Sequence, residues 1–189
     1  DQMDAGRKVL LHISNFRPVK RVRDVVAVYA RVAREIPSVL VMVGDGPDRV
    51  DAEQEARRLG VSDNVYFLGK LESVAPLLAS ADLFLLPTSS ESFGLSALEA
   101  LATGVPVIGA MAGGLPEVVR NGETGALCAV GDVEGMAAAA ITLLRDPDRW
   151  QATSTLAAAD ARKRFSLDEV VGQYESFYTR SLEGERREC

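Results

Sequence analysis

Two glutamates, Glu91 and Glu99, stand eight positions apart in Pro87-Thr-Ser-Ser-Glu-Ser-Phe-Gly-Leu-Ser-Ala-Leu-Glu-Ala-Leu101. An ionised carboxylate only accepts hydrogen bonds, at two oxygens, so it suits pairs of hydroxyls. A helix joining the two would set them about 12 Å apart at its usual rise. That is roughly the span from a sugar to a ribose across a diphosphate. The residues between them suit phosphate. Ser92 is expected to cap the helix, and Gly94 lets a ligand come close to its first turn. A helix N-terminus offers free N–H groups and a positive dipole end. The stretch therefore reads as a nucleotide-sugar clamp. The plainer alternative is a Glu favoured by the helix dipole and a second one in solvent. Glu99 weighs against it, because it sits between Leu98 and Ala100 on an otherwise apolar helix. A carboxylate there is costly unless something binds it.

Cations are expected at the same place. Arg17, Lys20 and Arg21 fall just before a helical stripe and form a candidate diphosphate clamp, the alternative being a solvated basic turn. His12, the only histidine, lies inside an apolar run and reads as a core or near-edge residue. No cluster of His, Cys and acids has metal-ligand spacing, and no metal is expected. Neither Gly-x-x-x-x-Gly-Lys-Ser/Thr nor Gly-x-Ser-x-Gly occurs, so the commonest NTPase and hydrolase chemistries lose support.

The elements that must position these groups alternate. Apolar runs at 9–13, 39–43, 65–68, 83–86 and 105–108 are expected strands, with a less apolar sixth at 126–130. Continuous apolar runs indicate strands covered on both faces, hence a parallel sheet. Val22, Val25, Val26, Tyr29, Val32 and Ile36 mark a helix between the first two; Ala52, Ala56 and Leu59 mark another. The result is a Rossmann-like doubly wound α/β domain of about six strands with C-terminal helices. In such sheets ligands bind beyond the carboxyl ends of the strands. Those ends carry Ser14 to Arg21, Gly44-Asp-Gly-Pro47, Gly69-Lys70, the Glu91 turn and residues 109–114.

From about Asp132 the chain is expected to be helical. One helix carries Met136, Ala140, Ile141 and Leu144; a second spans about 150–164. The last opens near Ser166 and carries Val170, Val171, Tyr174, Phe177, Tyr178 and Leu182. Core packing is the default reading of that aromatic stripe. Docking on a lobe outside this chain is the alternative. The division expected is 1–7 as linker or start of a fragment, 8–165 as the nucleotide-sugar-binding domain, 166–183 as a C-terminal helix and 184–189 as a tail.

At 189 residues the chain is long enough for a substantial core. A net charge of −6 argues against general nucleic-acid or membrane-surface binding. No apolar run reaches the length of a membrane span. Two cysteines, Cys128 and Cys189, do not make a disulfide framework, which points to a reducing cytoplasm.

Glu91-Ser-Phe-Gly-Leu-Ser-Ala-Leu-Glu99 with Ala100-Leu-Ala-Thr-Gly-Val-Pro-Val-Ile108 resembles the Glu-x7-Glu signature of the retaining GT-B glycosyltransferases. Ala112-Gly-Gly-Leu-Pro-Glu117 and Asn121-Gly-Glu-Thr-Gly125 are similar to the segments that follow it there. Val43-Gly-Asp-Gly-Pro47 and Phe67-Leu-Gly69 are similar to those that precede it. The resemblance implies the C-terminal, donor-binding half of such an enzyme, inactive without an N-terminal acceptor-binding domain. It implies Glu91 on donor-sugar hydroxyls, Glu99 on the ribose, and the N–H groups of Phe93, Gly94 and Leu95 on sugar or phosphate. Lys20 matches a phosphate-binding lysine. Asn15 stands where the family carries an arginine, with Arg17 nearby, and Gly69 and Lys70 stand where backbone meets the nucleobase. The donor implied is a UDP-sugar, with no cofactor and front-face attack by the acceptor. Within the family, residues 14–21 and 67–70 most resemble the bacillithiol branch, which moves N-acetylglucosamine from UDP-GlcNAc to L-malate. A homo-oligomer of the full enzyme is compatible with this. The alternatives are another hexosyltransferase with a cell-envelope or lipid-linked acceptor, or an NAD-binding Rossmann module. The last would need Gly-x-Gly-x-x-Gly where Ser14-Asn15-Phe16 stands.

Overall fold

A computed structural model describes residues 6–185, with side chains through residue 180 apart from Gln173. Most of the expected linker 1–7 and tail 184–189, and the Leu182 side chain, lie outside the described residues.

Six strands form one sheet: β1 (Lys8–Ile13), β2 (Ser38–Val43), β3 (Val65–Gly69), β4 (Leu83–Leu86), β5 (Val107–Ala110) and β6 (Gly125–Cys128). All neighbouring pairs are parallel, in the order β3-β2-β1-β4-β5-β6. The order reverses between β1 and β4, so the crevice for a ligand opens at their carboxyl ends. The helices are α1 (Val22–Val32), α2 (Arg49–Arg58), α3 (Ala75–Ser80), α4 (Leu95–Ala102), α5 (Leu115–Val118), α6 (Val133–Leu144), α7 (Pro147–Phe165) and α8 (Leu167–Glu185).

The unbroken apolar strands β1, β2, β4 and β5 have the two-sided cover they require, whereas edge strand β3 leaves Tyr66 and Leu68 exposed on one face. Leu10, Leu40, Met42, Leu83, Leu85 and Ile108 face one core, filled from α1, α2 and α6. Their sequence neighbours Leu11, Val41, Val43, Phe84, Leu86 and Val107 face a second core, filled from α3, α4, α5 and α7. Each such side chain contributes about 2 kcal/mol on burial, which fixes the register of these four strands. Asp146 accepts from the Arg149 N–H and Pro147 occupies the first turn, so α7 starts where the sequence breaks α6.

Three expectations need correction. β5 begins at Val107 rather than 105, because the Val105 N–H closes the end of α4 on the Ala100 carbonyl. Pro106 has no N–H, though its carbonyl does accept from Phe84. β6 ends at Cys128, where the chain turns through an Asp132 N–H to Ala129 carbonyl bond. The aromatic stripe of α8 is not core: Tyr174, Phe177 and Tyr178 are about three-fifths exposed, and Leu167 and Val171 are also exposed. Among the described residues no helix is long and apolar enough to cross a membrane.

Candidate functional site

Beyond the ends of β1 and β4 lies a cleft of about 430 Å³. Its walls come from Ile13, Ser14 and Asn15 after β1, from Lys20, and from Glu91 through Ser96 with Glu99. The position is the one where the strand order reverses.

The first wall is stiffened by His12. The ring is fully buried, between Phe16 and Phe84, with Nδ1 2.8 Å from the Leu85 carbonyl and Nε2 2.8 Å from the Ser14 hydroxyl. A carbonyl only accepts, so Nδ1 carries the proton and Nε2 accepts from Ser14. Burial pulls the His12 pKa down to about 4; the Leu85 bond opposes this and the Lys20 charge adds to it. At neutral pH the ring is uncharged and holds the Ser14 side chain at the cleft. Phe16 adopts φ 38 and is pinned by an Asp48 N–H to its carbonyl.

Lys20 closes a short 3-10 turn, Pro18–Lys20, after this loop. The carbonyl of its neighbour Val19 accepts from the Ser89 N–H at 2.8 Å and from the hydroxyls of Thr88 and Ser89. The turn is thereby tied to the chain leaving β4. On the far side the Glu91 carbonyl accepts from the Gly114 N–H at 2.8 Å, tying it to the loop after β5. Held this way, Lys20 Nζ donates to Glu91 Oε2 at 2.5 Å, and both side chains are mostly buried.

The third wall is the N-terminus of α4. Its cap is Gly94, at φ 99 and without a side-chain bond, so Ser92 is not the N-cap. The polar turn has to reverse direction before the helix begins, and only glycine adopts that backbone without strain. The first helical bond runs from the Leu98 N–H to Gly94. The N–H groups of Leu95 and Ser96 precede it, at the positive end of the helix. Glu99 is exposed at the rim of the cleft. The expected burial cost of its carboxylate is therefore absent, because α4 presents that face to solvent.

Glu91, Glu99, Lys20, Asn15, Phe93, Gly94 and Leu95 thus share one cleft. Arg17, exposed, does not line it, nor do Gly69 and Lys70; the Gly69 carbonyl accepts from the Gly44 N–H. The sequence placed residues 14–21 and 109–114 at this sheet edge but did not show what Ser14, Val19, Thr88 and the Gly113-Gly114 pair hold in position. The glycine pair was a legible signal. The ties to Val19 carried none, since any residue type supplies a carbonyl.

The model for glycosyl transferases group 1 matches residues 2–162. The chain belongs to that family. It is 47% identical over 173 residues to N-acetyl-alpha-D-glucosaminyl L-malate synthase of Bacillus anthracis, covering 92% of this chain and 45% of that protein. It is 36% identical over 184 residues to a D-inositol 3-phosphate glycosyltransferase of Mycolicibacterium paratuberculosis, covering 93% of this chain and 41% of that one. The crystal structure of Anabaena HepE in complex with UDP superposes with a TM-score of 0.84 at 28% identity, over 93% of this chain and 49% of that one. The fold is that of the GT-B glycosyltransferases, and the chain spans under half the length of the curated relatives it matches.

Proposed function

We propose that this chain is the C-terminal, donor-binding half of a retaining glycosyltransferase that moves N-acetylglucosamine from UDP-GlcNAc to a small acceptor, with L-malate the first to try. The observation that carries the reading is the convergence of Lys20, Glu91 and the N-terminus of α4 on one cleft at the reversal of strand order. The 47% identity to the Bacillus anthracis enzyme supports the choice of sugar and acceptor. A hexosyltransferase with another acceptor is the second reading, favoured by the 36% identity to the inositol phosphate enzyme.

In this reading the diphosphate lies between Lys20 and the N–H groups that open α4. Glu91 takes hydroxyls of the sugar and Glu99, at the rim, those of the ribose. Asn15 lies on the same wall. Arg17 joins the phosphates on closure of the lobes, and Gly69 and Lys70 meet the uracil. Departure of UDP builds negative charge on its terminal phosphate. Lys20 and the helix end offset that charge without reorganising, which is the main electrostatic contribution to such a step. The acceptor attacks from the face the nucleotide leaves, and a second lobe brings it there. Activity insensitive to chelators belongs to the same reading, as does a cytoplasmic location, which suits the free thiol of Cys128.

Calorimetric titration tests the site. The chain should bind UDP, and Lys20→Met should weaken that binding at least about tenfold, as loss of a charge-assisted contact does. Glu99→Ala should weaken UDP by a smaller factor. UDP binding unchanged in both variants removes the assignment.

The exposed stripe of α8 is assigned to the acceptor lobe. Leu167, Val171, Tyr174, Phe177 and Tyr178 are all exposed along this one helix, and contiguous exposed apolar side chains mark interaction surfaces. Amide exchange along α8 should slow markedly in the full-length enzyme compared with this chain. Equal exchange in both would leave α8 without that role.

A further inference from the structure

We propose that Glu91 sets the ligand preference of this cleft by competing with phosphate for Lys20, so that a nucleotide without its sugar is held weakly. The inference rests on the donor-site reading above and adds a second task for Glu91.

The Lys20–Glu91 pair is not a chance meeting of two long surface side chains. Nζ and Oε2 are 2.5 Å apart, with the side chains only 18% and 14% exposed. Both backbones are fixed from outside: the Val19 carbonyl by Thr88 and Ser89, and the Glu91 carbonyl by Gly114. Lys20 is also the cation among the residues lining the cleft. One ammonium faces two claimants of the same charge, a carboxylate already in contact and an incoming phosphate.

The balance follows from what each ligand gives Glu91 in return. Pyrophosphate or UDP that takes Lys20 leaves a mostly buried carboxylate unpaired beside a new anion. Both the desolvated charge and the like-charge contact oppose binding. A sugar on the same phosphate changes this, because its hydroxyls donate to Glu91 as Lys20 moves to the phosphate. The carboxylate keeps its hydrogen bonds and the ammonium keeps a counter-ion. Glu91 therefore penalises free UDP more than the sugar nucleotide, which favours release of UDP once the sugar has left.

The test is titration of wild type, Glu91→Gln and Lys20→Met with pyrophosphate, UDP and UDP-GlcNAc. Glu91→Gln frees Lys20 and should tighten pyrophosphate and UDP about tenfold, as expected when a state populated at roughly a tenth becomes dominant. Its binding of UDP-GlcNAc should gain less, so the preference for the sugar nucleotide over UDP shrinks. Glu91→Gln binding UDP no more tightly than wild type overturns the proposal. The underlying site reading fails by a different result, unchanged UDP binding in Lys20→Met. Glu91→Asp, which keeps the charge but withdraws it by one methylene, should show the same ordering at smaller size. A folded Glu91→Asp with no tightening counts against the proposal equally, so poor folding of the glutamine variant leaves the question decidable.

Discussion

Gly113→Ala is expected to destabilise the domain by about 3–5 kcal/mol, a size reserved for severe backbone or core defects, and to remove UDP binding. A Cβ at Gly113 would stand 2.0 Å from the Glu91 carbonyl oxygen and 2.9 Å from that residue's nitrogen and carbonyl carbon. These are backbone atoms, so no side chain can swing aside. The position also has φ +54, which an L-residue occupies at a cost of roughly 1 kcal/mol by itself. Relief requires the loop after β5 to lift off the Glu91 turn. That breaks the Gly114 N–H to Glu91 carbonyl bond and shifts the carboxylate from Lys20. Gly122→Ala is the control, since Gly122 has φ +84 but nothing within 4 Å of the added atom. It should cost only about 1 kcal/mol, the conformational part alone, and leave UDP binding unchanged. Urea denaturation and UDP titration of both variants measure the difference. Equal losses at the two positions would mean the contact with Glu91 does not matter.

The contrast shows what the chain's letters carry and what they do not. The doubly wound sheet was legible because strands covered on both faces must be apolar throughout, and Leu10 and Leu11 do divide between two cores. The members of the cleft were legible because acids, a lysine and a glycine clustered at strand ends. Their mutual arrangement was not. Nothing in the spacing of Lys20 and Glu91 says that they pair, since the contact spans 71 positions and depends on a backbone carbonyl at Val19. Ser92 was misread as a cap because a serine before an apolar run has that signature, whereas the reversal at Gly94 decides where α4 starts. The stripe on α8 was read first as core because periodicity reports that a face is apolar and not what covers it. Glu99 was argued from its apolar neighbours in sequence, yet neighbours along a helix point in different directions. The inference that groups share a surface held for Lys20, Glu91, Glu99 and the start of α4 but not for Arg17, Gly69 and Lys70, and inferences about single-residue environments needed coordinates.

Acidification should unfold the domain partly through His12. The ring's pKa stands near 4 in the fold against 6.5 ordinarily, with burial the leading cause. A folded-state pKa below the unfolded one means the unfolded chain binds the proton first as pH falls. The stabilisation from keeping His12 neutral is complete above about pH 6.5 and is lost between there and pH 4. The shift corresponds to about 3 kcal/mol at 1.36 kcal/mol per pH unit. Carboxylates in ion pairs add their own acid loss, so the readout is a difference. His12→Asn places an amide N–H near the position of Nδ1, keeps a donor for the Leu85 carbonyl and has no proton to gain. It should be less stable than wild type at pH 7 and should lose less on going to pH 4.5. Protonation also ends the ability of Nε2 to accept from Ser14, and the charge comes up beneath Lys20. The wall of the cleft that carries Ser14 and Asn15 then loses its internal support. UDP binding by the folded fraction of the wild type should weaken relative to that of His12→Asn only as pH nears 4, where the ring in the fold takes up its proton. Parallel stability slopes in the two proteins between pH 7 and 4.5 would mean that the imidazole takes up its proton in the fold as readily as in the unfolded chain.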